Sequence, residues 1–211
     1  MKKNKLNIAI LFDSSNFWMK KYLDLLKADY IDLCIDKLKK RYDFVFLLGY
    51  TKKISKEELS RHGKVFLVHE SDLPKGKGFA PIQWQILNNE SVIYFCLIEA
   101  AEKIDSGYIY LKERLVLDGN ELYDDIRLKQ AKLSFTMIKR YLKNYQKIKG
   151  IPQKKYKTKL FKRRTTSDSE LNINKTIKSQ FNLLRIVNND LWPAFFVING
   201  QKYYLKITKD K

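Results

Sequence analysis

The chain has little of what would tie it to a metal, a disulfide framework or a membrane. Its two cysteines, Cys34 and Cys96, stand far apart in the apolar runs DLCI and YFCLI. Two isolated cysteines make neither a zinc set nor a disulfide scaffold, and a reduced, buried thiol is the usual state of such residues. Long hydrophobic runs are missing too: the apolar part of MKKNKLNIAILF stops at DSSN, too short for a signal-peptide core or a membrane span. No membrane association is expected, and the cytoplasm is the expected compartment. Neither GxGxxG after the first strand-like run nor GxxxxGK[ST] occurs, which removes the main support for a dinucleotide or ATP site.

Acidic residues are also scarce, 23 against 42 Lys and Arg, for a net charge of +19. A basic surface attracts phosphate and releases counterions on binding. The excess is mostly lysine, however, and is dispersed through KKNK, KKRY, TKKISK and KKYKTK; only residues 147–164 concentrate it, with nine Lys or Arg and no acid. Lysine is a common solubilising surface residue, so nucleic acid is not the expected partner, although the charge favours a polyanionic one. With 211 residues and 45% apolar content, the chain is long enough for one domain with a real core and a smaller appendage.

LNIAILF (Leu6 to Phe12) suits a buried parallel strand. DSSN then offers helix caps before FWMKKYLDLL, which has apolar residues at helical spacing. YIDLCI, FVFLLGY, VFLVH and VIYFCLIEA follow as strands, with a helical stretch at ISKEELSRHG, and alternating strands and helices predict an α/β fold with a mainly parallel sheet and its site at the carboxyl ends of the strands. After IYLKERLVL, a long helix is predicted from about Asn120 to Ile148, with Leu122, Ile126, Leu133, Met137, Leu142 and Tyr145 along one face. Residues 151 to 165 read as a linker or strap. A helix in SDSELNINKTIKSQFNLLRIV, carrying Ile177, Phe181, Leu184 and Ile186, and a hairpin in FFVINGQKYYLKI, turning at Asn199-Gly200, complete a small α+β module. The expected division is a catalytic domain over 1–150 and this module over 151–211.

His69 follows VFLV directly and is therefore expected at a strand's carboxyl end, where open α/β sheets bind ligands. Asp105 lies in EKIDSG, between two strand patterns. A carboxylate there commonly caps a turn; in the functional reading it faces His69 across neighbouring strand ends and holds the imidazole.

His69, Ser71, Leu73 and Pro74, then Gly78, then Ala80-Pro81-Ile82-Gln83 with Ile86, and finally Asp105-Ser106-Gly107 follow one another in order. This succession resembles the formyltransferases that use 10-formyltetrahydrofolate, whose motif is Asn-x-His, Ser-x-Leu-Pro, a loop glycine, an APIQxxI helix and Asp-x-Gly. FKRRTTSDSELNI and WPAFF further resemble segments of the sugar-nucleotide N-formyltransferases.

The resemblance implies a Rossmann-like formyltransferase domain, with His69 and Asp105 catalytic and no metal. It also implies Leu47, Leu48, Gly49, Glu99, Lys103 and Asp105 beside the 10-formyltetrahydrofolate. Asn16, Trp18, Ser71, Lys75 and Lys77 become candidates for a nucleotide-sugar substrate. A methionyl-tRNA enzyme would carry a further C-terminal barrel domain, so the resemblance favours the sugar-nucleotide acceptor. The outer edges of the hairpin could pair with a second copy in a homodimer. One position departs from the motif: Leu67 stands where the family's asparagine donates a hydrogen bond to the reacting oxygen.

Overall fold

A computed structural model of the chain describes residues 6–12, 19, 29–31, 38–157 and 160–210. Asn16, Trp18, Cys34 and the helix expected after DSSN lie outside them. Six strands form one sheet in the order β2-β1-β3-β4-β5-β6: β1 Ile8–Phe12, β2 Asp29–Ile31, β3 Phe44–Leu48, β4 Lys64–His69, β5 Val92–Glu99 and β6 Ile109–Val116. The pairs β1–β2, β1–β3 and β3–β4 are parallel, while β4–β5 and β5–β6 are antiparallel. Five strands thus point one way and β5 alone reverses. The mainly parallel Rossmann-like α/β arrangement expected from the sequence is present.

β1 and β3 are apolar throughout because both faces of the central sheet are covered. On one face, Ile10, Phe46, Phe66, Val68, Phe95 and Leu97 pack under α3, Tyr123–Asn144. Tyr141 of that helix meets Phe66 edge-on with ring centroids 4.6 Å apart, an arrangement favoured by the ring quadrupoles. On the other face, Ala9, Leu11, Val45, Leu47 and Val65 form a second cluster with Ile54 and Leu59. Leu59 belongs to the short α1, Lys56–Ser60, which starts where Ser55 and Glu58 cap each other's backbone N–H.

α3 is shorter than its sequence pattern at both ends. Of the anticipated stripe, Ile126 and Met137 are buried while Leu122, Leu133, Leu142 and Tyr145 are only half buried; Gln130, Ser134, Phe135, Ile138 and Tyr141 are buried beside them. Two polar residues thus sit on the buried face, and one of them reaches the site described below. His62, in the surface-like RHG, is also buried: its Nδ1 accepts from Tyr42 N at 3.4 Å.

The polypeptide after α3 returns across the sheet as a strap. Ile151 pairs with Ile109, and Phe161 bridges to Gly78. Beyond it, α4 Phe181–Ile186 packs on α2 Pro81–Leu87 and on α3, and β7 Ala194–Ile198 pairs with β8 Gln201–Leu205. The hairpin turns at Asn199 and Gly200 with φ of 51° and 76°, the left-handed pair that a two-residue type I′ turn requires.

Candidate active site

Strand alternation sends Leu67 and His69 to one side of β4 and Val68 and Glu70 to the other. After Glu70 the chain folds into a tight loop: Ser71 Oγ donates to Lys75 O at 2.8 Å, and His69 Nε2 lies 2.9 Å from Gly76 O. A carbonyl only accepts, so Nε2 carries a hydrogen here. His69 Nδ1 lies 3.4 Å from Asp105 Oδ1, with the two side chains 6% and 10% exposed. Water is largely excluded from this pair, so each charge acts on the other with little screening.

Asp105 reaches the histidine by a different route from the one expected. β5 is antiparallel to β4, with His69 opposite Cys96 and Phe66 opposite Glu99, so β5 ends at the wrong end of β4. The 100–108 loop brings Asp105 back over the sheet instead. Gly78 N donates to Asp105 Oδ2 at 2.9 Å, and Gln153 Nε2 donates to Asp105 O and Gly107 O at 2.9 and 2.8 Å. The strap therefore holds the Asp105 loop directly. Gly78 has φ of 111°, and a Cβ there would stand 2.4 Å from Phe161 O, so this junction admits glycine alone.

These residues border a cavity of about 610 Å³, within the range of small-molecule sites. Leu47, Gly49, Leu67, Ala100 and Ile104 supply a largely apolar wall on the Asp105 side. Glu70, Gln83, Arg127 and Gln130 give a polar wall on the α3 side, and Lys52 and Lys53 also border the space. Among the described residues, no group of three or more His, Cys, Asp or Glu side chains could hold a metal.

The sequence candidates divide. Leu47, Gly49, His69 and Asp105 line the cavity together. Leu48 points into the α3-side core. The Glu99 carboxylate accepts from Tyr110 at 2.7 Å, and Lys103 sits in a surface turn, its carbonyl accepting from Ser106. Ser71 is spent on its own loop, and Lys75 lies over the Tyr156 ring at 5.8 Å. Lys77 does not border the cavity; burial lowers its ammonium pKa against the raising effect of Asp105. Leu67 lines the space with its apolar side chain packed against the clusters around Leu47 and Val65 and around Cys96 and Ile98, and it offers no donor. Glu70, Arg127 and Gln130 were missed. Nothing local singled them out, because α3 carries many other charged and polar residues and Glu70 meets Gln130 only through the fold. Cys96 is inert: burial pushes its thiol up to about 11, and its Sγ donates to Ser71 O.

No protein-family model matches the chain. It is 32% identical over 165 residues to the methionyl-tRNA formyltransferase of Mycoplasmopsis pulmonis, covering 76% of this chain and 56% of that protein. The structure of a methionyl-tRNA formyltransferase from Clostridium thermocellum superposes with a TM-score of 0.79 at 20% identity, over 98% of this chain and 94% of that one. Over three quarters of its length the chain is thus similar to formyltransferases, and it has their fold. A 4-N formyltransferase from Francisella tularensis shares the formyltransferase fold over 98% of both chains, with TM-score 0.69 and 17% identity. HypX from Aquifex aeolicus, in complex with tetrahydrofolic acid, does so over 96% of this chain and 37% of its own, with TM-score 0.75 and 16% identity. This chain spans about half the length of the curated relatives it matches.

Among the described residues, no helix is long and apolar enough to cross a membrane.

Proposed function

We propose that this protein moves a formyl group from 10-formyltetrahydrofolate to an amine, with His69 and Asp105 at the reaction centre. The observation that carries the reading is the dry His69–Asp105 pair on the wall of a 610 Å³ cavity in a formyltransferase fold. The residues fit the folate. The apolar Leu47, Leu67 and Ile104 suit a flat ring system, and Lys52 and Lys53 suit an acidic tail.

When bound, the folate supplies an activated formyl carbon. The protein's part is to seat the amine against that carbon and manage protons. Asp105, fixed by Gly78 and the strap, anchors the imidazole. Once the loop carbonyl of Gly76 is released, the Nε2–H of His69 can turn its hydrogen bond to the formyl oxygen as negative charge develops there. The same pair provides a path for the proton that leaves the amine.

For the acceptor, we favour the amine of a nucleotide-linked amino sugar. Its support is the likeness over 98% of both chains to a sugar N-formyltransferase from Shewanella and the cationic side chains at the cavity. A methionyl-tRNA acceptor is the second reading, supported by the names of the sequence relatives. Incubation with 10-formyltetrahydrofolate, nucleoside-diphosphate-linked 4-amino-4,6-dideoxyhexoses and methionyl-tRNA tests both. Formylated sugar nucleotide is the expected product. Formyl-methionyl-tRNA alone would move the assignment to the second reading, and no formylated amine at any enzyme concentration would end both.

A further inference from the structure

Glu70 directly follows His69 and lines the same cavity, yet it points to the other side of β4. Its surroundings are built rather than incidental. Gln130 Nε2, from α3, donates to Glu70 Oε1 at 2.6 Å, and Gln130 Oε1 accepts from Arg127 at 2.7 Å. Arg127 thereby fixes which way the Gln130 amide faces, and the amide fixes the carboxyl. From α2, Pro81–Leu87, the buried Gln85 donates to Glu70 O at 2.6 Å, so the backbone is held as firmly as the side chain. The charged groups facing the carboxyl are His69 on its own strand and Arg127 on α3, while α2 contributes only neutral amides.

The reaction in the proposed function needs a neutral amine, and an aliphatic amine reaches a protein at neutral pH mostly as an ammonium ion. Something must bind that cation and remove a proton before the nitrogen can attack. The apolar wall beside Leu67 holds no group for this, and His69, whose Nε2 carries a hydrogen, is turned to the formyl oxygen in the proposed reaction. The α3-side wall has one carboxyl, clamped within the cavity.

Resting on that reading of the site, we infer that Glu70 receives the ammonium group of the acceptor and takes one of its protons. An N–H bond of R–NH₃⁺ breaks and an O–H bond forms on Glu70, leaving R–NH₂ and a neutral carboxyl. The freed lone pair then makes the new C–N bond to the formyl carbon as the donor's own N–C bond breaks. The electron pair of that bond leaves on the donor nitrogen, which gains the second proton that the acceptor nitrogen loses, by way of His69. Glu70 returns its proton to water when product leaves. Burial raises the Glu70 carboxyl above its ordinary range, against the opposing pull of His69, Arg127 and Gln130, which makes it a stronger base than a free carboxylate.

The test compares wild type with Glu70→Gln across pH 6 to about 9.5, a span that approaches the titration of an alkyl amine. The acceptor is whichever amine the wild type formylates, and 5-formyltetrahydrofolate binding serves as the control for an intact folate site. The expected result is a fall in kcat/KM of about a hundredfold at pH 7 that shrinks steadily as pH rises and the amine arrives already neutral. Folate binding stays within about threefold and Glu70→Asp recovers part of the rate, since an ionisable group is restored. A deficit equal at all pH values would make Glu70 structural and overturn the inference, as would a variant as fast as wild type. Wild type that formylates no amine would instead sink the underlying reading, and this one with it.

Discussion

At the scale of single residues, the site is a pair in place and a donor missing. His69 and Asp105 are buried against each other, while Leu67 presents hydrocarbon where the family motif has an amide. A hydrogen bond to the developing oxyanion is worth roughly two to three orders of magnitude in rate. Leu67→Asn is therefore expected to raise kcat about tenfold or more, measured by single-turnover formyl transfer. It should also lower Tm modestly, because an amide replaces a side chain packed on the clusters around Val65 and Ile98. An unchanged or reduced kcat would mean that another group already serves the oxygen. His69 and Asp105 were legible because each sits in a short motif with residues of restricted chemistry around it. Glu70 was not, because its meaning depends on Gln130, sixty positions away, and no local spacing encodes that contact.

Among the elements, the strap is the part that sequence pattern undersold. Its basic, aperiodic composition reads as linker, yet it donates to the Asp105 loop through Gln153, bridges Gly78 at Phe161 and accepts from Trp84 at Lys162 O. Gly78→Ala puts a methyl into the Phe161 carbonyl at a positive φ. The expected cost is about 2 kcal/mol or more in stability, read by urea denaturation, with transfer activity also falling because a displaced loop carries the residue 78 N–H away from Asp105. A variant with unchanged stability would remove the close approach from the account. The strands themselves were readable, since continuous apolar runs mark a sheet buried on both faces. The reversal of β5 was not, because direction is set by how the polypeptide after β4 turns through α2, not by the composition of the strand. That reversal is why Asp105 must fold back over the sheet.

For the whole molecule, the C-terminal segment is tied to the sheet through a buried ion pair. Arg185 of α4 donates to the Glu121 carboxylate at 2.9 Å and to Glu121 O at 3.0 Å. Burial alone would raise Glu121, but bonds from Lys129 and from the Asp118 and Gly119 N–H groups outweigh it and hold the carboxyl at about 2. A depressed carboxylate contributes stability above its unfolded value and loses it as pH falls toward the folded one. His62 acts in the same direction: burial, with Arg61 and Arg41, lowers its pKa below 6.5, so the unfolded chain takes that proton first. Thermal melts should therefore show stability falling as pH drops below about 6.5, and again from about 4.5 toward 2. Arg185→Met should cost about 1 to 3 kcal/mol at pH 7 by removing two buried bonds to Glu121, while the second decline persists because Lys129 and the Asp118 and Gly119 N–H groups still hold the carboxylate. A melt profile level from pH 7 to 3 would contradict this.

The net charge of +19 leaves an RNA-binding role as the rival from another class, and one measurement separates it from the enzyme. Formyl transfer from 10-formyltetrahydrofolate to an amine is assayed for wild type, His69→Ala and Asp105→Asn, with circular dichroism to confirm the fold. The account predicts transfer by wild type and a loss of about a hundredfold or more in each variant, with unchanged spectra. Variants that keep wild-type rates, or a wild type that transfers nothing while binding RNA independently of His69, would contradict it.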